Sequence, residues 1–269
     1  MDYILGVDLG SRSTKCVIID TDYNMLCGLS ESSGIDPDSI VNNIISGFQE
    51  QLNIKRKDIK YIVSTGYGRE SLSFSNKQIT EITCHGAGAG YLFPGTRTVV
   101  DIGGQDSKVI AVNQHGKPFD FVMNDKCAAG TGKFLEMMCR TLAVSLDELS
   151  KFDGMAKKNI SINSICTVFA ESEVISLMAE KETKENIIKG LHRGVAERTA
   201  GLVERVGLRE EVTMTGGVAR NTGVVRAIEK NLNIKLNVPQ KPELTGAFGA
   251  AILGLRKLSR EGRNTGGRN

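Results

Sequence analysis

A short pattern occurs twice in this chain, and it constrains the fold more than any other feature. Residues 7–15 read VDLGSRSTK and residues 100–108 read VDIGGQDSK, aligned without gaps at an offset of 93. Asp8 matches Asp101, Gly10 matches Gly103, Thr14 matches Ser107 and Lys15 matches Lys108. Each copy follows an apolar β-branched run (3–7; 98–100) and leads into another (16–19; 109–112). Each then meets a polar turn (20–24; 113–117) and a third apolar run (25–29; 119–123). Short apolar runs bounded by Gly, Asp and Asn read as strands joined by tight turns. Each half therefore begins strand, glycine turn, strand, turn, strand.

A second pair of segments supports a duplication. Residues 62–69 read IVSTGYGR and residues 212–220 read VTMTGGVAR, each an apolar strand ending in Thr-Gly before a helical pattern. Gly66 lies 58 residues after Asp8, whereas Gly216 lies 115 after Asp101, so the second half carries roughly 57 additional residues. Cys127, Cys139 and Cys166 all fall in that longer interval.

Helical periodicity covers 36–53, with Ile40, Ile44, Ile45, Phe48 and Leu52 on one face and Pro37 suited to a helix start. Phe134, Leu135, Met138 and Leu142 form another stripe, and Ile187, Ile188, Leu191, Val195, Leu202, Val203 and Val206 mark a long helix. Residues 245–258 form a Gly- and Ala-rich terminal helix, and 259–269 lack apolar periodicity and are expected to fray. The expected division is a first lobe over 1–96 joined by the helix at 245–258, and a second lobe over 97–244.

Composition excludes several classes. With 40% hydrophobic and 24% charged residues among 269, the chain reads as a soluble globular protein. A net charge of +3 is too small for a nucleic-acid protein. Five per cent aromatics and no Trp argue against a base-stacking surface. No apolar run approaches the ~18 residues that span a bilayer. An acidic residue at position 2 without a basic leader argues against a signal peptide, so a cytoplasmic location is expected. The six cysteines show no C-x-x-C spacing.

The glycine turns carry the chemistry. A turn between antiparallel strands exposes backbone N–H groups in a small concavity, and glycine lets the backbone approach an anion. Gly10, Ser11, Ser13, Thr14 and Lys15 are candidates for a first phosphate loop, with Gly103 and Gly104 for a second. Asp8 and Asp101 are candidates for holding Mg2+ and positioning water, since that ion takes oxygen ligands. Gln105 is a further candidate for orienting an attacking water. Gly216 and Gly217, opening a helix, suit contacts to a nucleoside. Residues 128–133, AAGTGK, suggest a P-loop, but Cys127 and Phe134 stand where G-x4-G-K-[ST] needs Gly and Ser or Thr.

The duplicated D-x-G hairpins with the TGG turn resemble the nucleotide-binding superfamily of actin, the 70-kDa heat-shock chaperones and the sugar kinases. That resemblance implies a two-lobed α/β fold of duplicated RNase H-like (actin-like ATPase) type, with ATP and Mg2+ in the cleft. Residues 124–136, NDKCAAGTGKFLE, and 164–175, SICTVFAESEVI, narrow it further. With STGYGR and DIGGQD they resemble the activators of 2-hydroxyacyl-CoA dehydratases, a family that includes ATPase subunits of benzoyl-CoA-type reductases. The resemblance implies a homodimeric ATPase whose two subunits share one [4Fe–4S] cluster. It further implies a reduced ferredoxin or flavodoxin as donor, and a separate dehydratase as acceptor of one low-potential electron. The alternatives are the ATPase subunit of a benzoyl-CoA-type reductase and a small-molecule kinase of the same superfamily.

Cys127 and Cys166 are the implied cluster ligands. Each precedes a helical pattern (130–142; 169–179), where the positive end of a helix favours a thiolate. Two thiolates per chain make four only across a twofold dimer. Cys16, Cys27, Cys84 and Cys139 read as structural. His85, His115 and His192 have no metal-ligand spacing, and HGAGAGY at 85–91 reads as a closely packed helix. Glu171 and Glu173 could serve the helix dipole, a partner protein or the nucleotide.

Overall fold

The computed structural model of the chain describes residues 2–162 and 166–265, with side chains to Glu261. Along the chain run β1 (Tyr3–Leu9), β2 (Ser13–Ile19), β3 (Met25–Ser32), α1 (Pro37–Leu52), β4 (Ile59–Thr65), β5 (Lys77–Gln78) and α2 (Glu81–Leu92). Next come β6 (Thr98–Ile102), β7 (Ser107–Val112), β8 (Pro118–Asn124), α3 (Gly132–Leu142), α4 (Leu146–Phe152), α5 (Thr167–Ala179) and α6 (Lys184–Val206). β9 (Val212–Thr215), α7 (Thr222–Leu232), β10 (Leu236–Asn237) and α8 (Thr245–Thr265) complete it.

The elements gather into two compact units. One contains the chain up to Gly95, Val112–Pro118 and the segment from Glu243 onward; the other contains Thr96–Ala111 and Phe119–Pro242. The first unit's sheet has the order β3-β2-β1-β4-β5, and the second's the order β10-β9-β6-β7-β8. Read outward from the central strand, these are the same topology, antiparallel on the hairpin side and parallel on the other. The two-lobed α/β architecture expected from the repeat is what the chain forms.

The repeat extends to the turns. Asp20 Oδ1 accepts from the amides of Asp22 and Asn24, both at 2.9 Å. Asn113 Oδ1, at the same offset, accepts from His115 at 2.9 Å and Lys117 at 3.1 Å. A short side-chain acceptor satisfying its own turn is what Asp and Asn do best.

In the first unit the strand period of two divides the side chains between two cores. Leu5, Val7 and Leu9 join Val41, Ile44, Ile45 and Phe48 of α1. Ile4, Val17 and Val63 join Cys84 of α2 and Ala247, Phe248 and Ala251 of α8. Helix α1 starts as its sequence promised, with Asp36 accepting from the Ser39 amide and Pro37 in its first turn. Small residues let α8 lie against the sheet and α2: a Cβ on Gly249 would fall on the Cys84 carbonyl. Helix α8 continues past the expected end at Leu258 to Thr265. A Ser259 hydroxyl bond to Leu255 and a Lys257–Glu261 pair at i,i+4 sustain it where apolar periodicity stops. Residues 266–269 of the expected tail lie outside the described residues.

The second unit holds the additional residues as α3, α4, α5 and part of α6, between β8 and β9. Helix α4 starts on a capping box formed by Ser145 and Glu148. Among the described residues no helix is long and apolar enough to cross a membrane.

Candidate functional site

Both glycine turns close in the same way. The Gly10 amide donates to the Ser13 carbonyl at 3.1 Å, and the Gly103 amide to the Asp106 carbonyl at 2.9 Å. These two amides belong to the hairpin, which leaves the loop tips, Ser11 and Gln105, as exposed positions. Thr14 is buried, its hydroxyl 3.3 Å from that of Ser33, which in turn donates to the Gly10 carbonyl at 2.8 Å. Thr14 therefore holds the loop from within. Ser33 was not legible, because it reaches the loop across 23 residues of sequence.

The two aspartates differ in surroundings. In register, Asp8 faces Lys15 and Thr65, and Asp101 faces Lys108 and Thr215. Asp8 is 6% exposed, and Lys15 Nζ stands 3.4 Å from its Oδ2. Asp101 Oδ1 accepts from the Thr215 hydroxyl at 2.8 Å, and its Oδ2 from Lys108 Nζ at 3.2 Å. Lys108 is buried and also pairs with Asp106 Oδ2 at 2.9 Å. The first loop has Ser13 where the second has Asp106, so this second carboxylate is peculiar to the second copy. Asp101 is thus tied to fixed partners by both oxygens, and Asp8 is the more available ligand. A point 2.8 Å from His85 Nε2 is 3.4 Å from Asp8 Oδ2, where a Gly246 Cβ would stand. The imidazole set aside by spacing therefore borders Asp8.

The Thr-Gly turns press on these carboxylates. Gly66 and Gly216 take φ of +87° and +84°. A Cβ on Gly66 would fall on Asp8 Oδ1 and 2.7 Å from the Leu9 carbonyl oxygen; one on Gly216 would fall on the Ile102 carbonyl and 2.8 Å from Asp101 Oδ1. Gly216 is buried, whereas Gly217 is exposed, with nothing within 4 Å of a Cβ. Of the pair, Gly217 is the surface a ligand can reach.

The cysteines separate by exposure. Cys16, Cys27, Cys84 and Cys139 are buried, Cys127 is half-buried and Cys166 is exposed. Burial pushes the Cys84 thiol up to about 12, with Asp8 and Glu81 adding to it against the opposing Thr65 hydroxyl. Burial, then Glu136 and Glu148, pushes Cys139 up to about 11. Burial, then Asp8 and Glu31, also raises Cys16. Cys166 is the N-cap of α5. Cys127 lies further from its helix than the sequence pattern suggested, because α3 begins at Gly132 with Thr131 as N-cap. The AAGTGK segment forms no phosphate cradle at that helix start: the amides of Gly132 and Lys133 donate to the carbonyls of Gly103 and Gly104 at 2.9 and 2.8 Å. Among the described residues no three His, Cys, Asp or Glu side chains gather to hold a metal.

Other polar candidates have structural roles. Glu171 accepts from Thr141 at 2.9 Å, tying α5 to α3. His192 is fully buried, bonded to Asp153 at 3.0 Å and Asn221 at 3.2 Å. Helix α2 is the closely packed glycine helix expected at 85–91.

Known proteins resemble this chain in sequence and fold. The activator of lactoyl-CoA dehydratase from Anaerotignum propionicum is 46% identical over 250 residues, 93% of this chain and 96% of that one. The solved structure of the activator of the 2-hydroxyisocaproyl-CoA dehydratase from Clostridium difficile with bound ADPNP matches at a TM-score of 0.92 and 41% identity, covering 97% of each chain. A benzoyl-CoA reductase chain from Thauera aromatica is more distant, 32% identical over 98% of each sequence. With a duplicated glycine-loop fold and a family model matching residues 5–254, the chain belongs to the BadF/BadG/BcrA/BcrD ATPase family.

Proposed function

We propose that this protein is the ATP-hydrolysing activator of a 2-hydroxyacyl-CoA dehydratase, delivering one low-potential electron to that enzyme at the expense of ATP. The observation that carries this reading is the pairing of a duplicated phosphate-loop fold with two accessible thiols, Cys127 and Cys166, in a chain whose other four cysteines are buried. The relatives' names, dehydratase activators at 46% and 41% identity, point to the same partner.

The loop amides at Ser11 and Gln105, with Lys15 and Gly104, bind the nucleotide phosphates, and Gly217 borders the nucleoside. Asp8 holds the Mg2+ hydration shell; its carboxylate is buried and is not locked on both oxygens. Asp101 keeps the second loop in place and contributes negative charge without exchanging its partners. Gln105, exposed at the loop tip, orients the attacking water.

Cys127 and Cys166 fit as thiolate ligands because both are reachable and Cys166 caps a helix N-terminus, where anionic sulfur is favoured. A [4Fe–4S] cluster bound there supplies a one-electron couple, and two chains related by a twofold axis supply its four thiolates. A reduced ferredoxin or flavodoxin is the donor. Anaerobically purified protein is expected to be brown, with about four iron atoms per dimer. Cys127→Ala and Cys166→Ala should lose the iron and retain ATP binding. A colourless, iron-free anaerobic preparation with full ATPase activity overturns the electron-transfer reading.

A further inference from the structure

The second glycine loop and the cysteine segment are joined by their backbones. The Gly132 amide donates to the Gly103 carbonyl at 2.9 Å and the Lys133 amide to the Gly104 carbonyl at 2.8 Å. Gly132 and Lys133 open α3. The first amides of a helix have no partner within it, so here two of them are satisfied by a loop some 30 residues away.

These two carbonyls belong to the peptide planes that carry the Gly104 and Gln105 amides. A peptide unit is rigid and nearly planar, so its N–H and C=O turn together. An anion drawn to the Gly104 and Gln105 amides rotates the same two planes whose carbonyls hold α3. The joint has little slack: a Cβ on Gly132 would stand 3.2 Å from the Gly103 carbonyl oxygen and 3.3 Å from Gly104 Cα.

From α3 a run of hydrogen bonds leads to Cys127. Thr131, the N-cap, is fully buried; its amide donates to the Ala128 carbonyl at 3.0 Å, and its hydroxyl bonds the same oxygen. Asn124 Nδ2, at the end of β8, donates to the Cys127 carbonyl at 3.0 Å. The other end of α3 reaches the Cys166-capped helix through the bond from Thr141 to Glu171.

We propose that the hydrogen bonds from Gly132 and Lys133 to Gly103 and Gly104 are the joint by which nucleotide occupancy of the second loop sets the position of Cys127. This rests on the reading above that the loop takes phosphate. Linkage makes the coupling reciprocal: whatever fixes Cys127 alters nucleotide affinity by the same factor.

Hydrogen exchange on the full chain, with and without the magnesium salt of a non-hydrolysable ATP analogue, tests this. Calorimetry on the same samples measures binding. The expected result is a change of at least about threefold in exchange across residues 124–136 on binding. Gly132→Pro keeps a residue suited to a first helical position but deletes the donor; Gly132→Ala adds a similar Cβ and keeps it. The proline variant should bind nucleotide yet lose the response across 124–131, and the alanine variant should retain part of it. Asn124→Ala, which leaves the helix start untouched, should keep the response at 132–136 and lose it at 125–128. Binding without any exchange change at 124–136, or Gly132→Pro and Asn124→Ala both responding like the wild type, overturns the joint. Absence of binding by calorimetry overturns the nucleotide reading itself, and the joint with it.

Discussion

Thr215 donates its hydroxyl to Asp101 at 2.8 Å, whereas Thr65, which occupies the same register position beside Asp8, turns its hydroxyl to the Cys84 thiol. The duplicated aspartates have therefore diverged. Asp101 is anchored by Thr215 and a buried Lys108, and Asp8 is left with Lys15 at 3.4 Å.

That divergence separates two substitutions that the sequence alone treats as equivalent. Asp101→Asn leaves the buried Lys108 paired with Asp106 but removes the charge it meets at position 101, which should cost about 1–3 kcal/mol. Asp8→Asn should cost much less stability and, on the Mg2+ role proposed for Asp8, lower ATP hydrolysis by about a hundredfold or more. Urea denaturation and phosphate release on the two variants check both. Equal stability losses would sink the distinction.

The glycines at the Thr-Gly turns make a similar contrast. Gly66→Ala and Gly216→Ala force a side chain onto φ near +85° and into the carbonyls of Leu9 and Ile102. Each should destabilise the chain by about 2 kcal/mol or more. Gly217→Ala meets nothing within 4 Å, so stability should change by no more than about 0.5 kcal/mol. Any effect of Gly217→Ala should appear in nucleotide affinity, measured by titration calorimetry.

Thiol labelling follows from burial. In native, metal-free protein at neutral pH, iodoacetamide should modify Cys127 and Cys166 and spare Cys16, Cys27, Cys84 and Cys139. Thiols held near 11 and 12 carry almost no thiolate at neutral pH, and burial blocks the reagent as well. Peptide mass spectrometry reads the pattern, and rapid labelling of Cys84 would contradict it.

Acid stability should depend on two carboxylates of the second unit. Asn186, the Thr183 amide and Lys158 hold Glu182 down to about 2. Burial works against Asp153, but His192 and Arg226 outweigh it and keep the carboxyl below its ordinary value. A carboxyl lowered in the folded state contributes stability above its unfolded value, roughly 4, and that contribution is lost as pH falls through the folded value. The melting temperature should therefore fall between about pH 4 and about pH 2, and Glu182→Gln should flatten the decline. An unchanged profile for that variant would remove Glu182 from the account.

Much of the architecture could be read before any coordinates. The 93-residue offset marks matching strands, matching loop closures and even matching Asp20 and Asn113 turns, because strand period and turn chemistry act over a few neighbouring residues. The start of α1 was equally plain, since Pro37 carries its own geometry.

What the sequence determined by itself is the pair of repeats and the family they belong to; those signals are local and need no fold to be recognised. Tertiary structure decided which members of each matched pair are equivalent. Thr215 reaches Asp101 across 114 residues, Ser33 reaches Gly10 across 23, and α3 hands its first amides to a distant loop in place of an anion. Burial and hydrogen-bond satisfaction are settled only when remote segments meet, and they turn identical residues into an anchor in one repeat and an available ligand in the other.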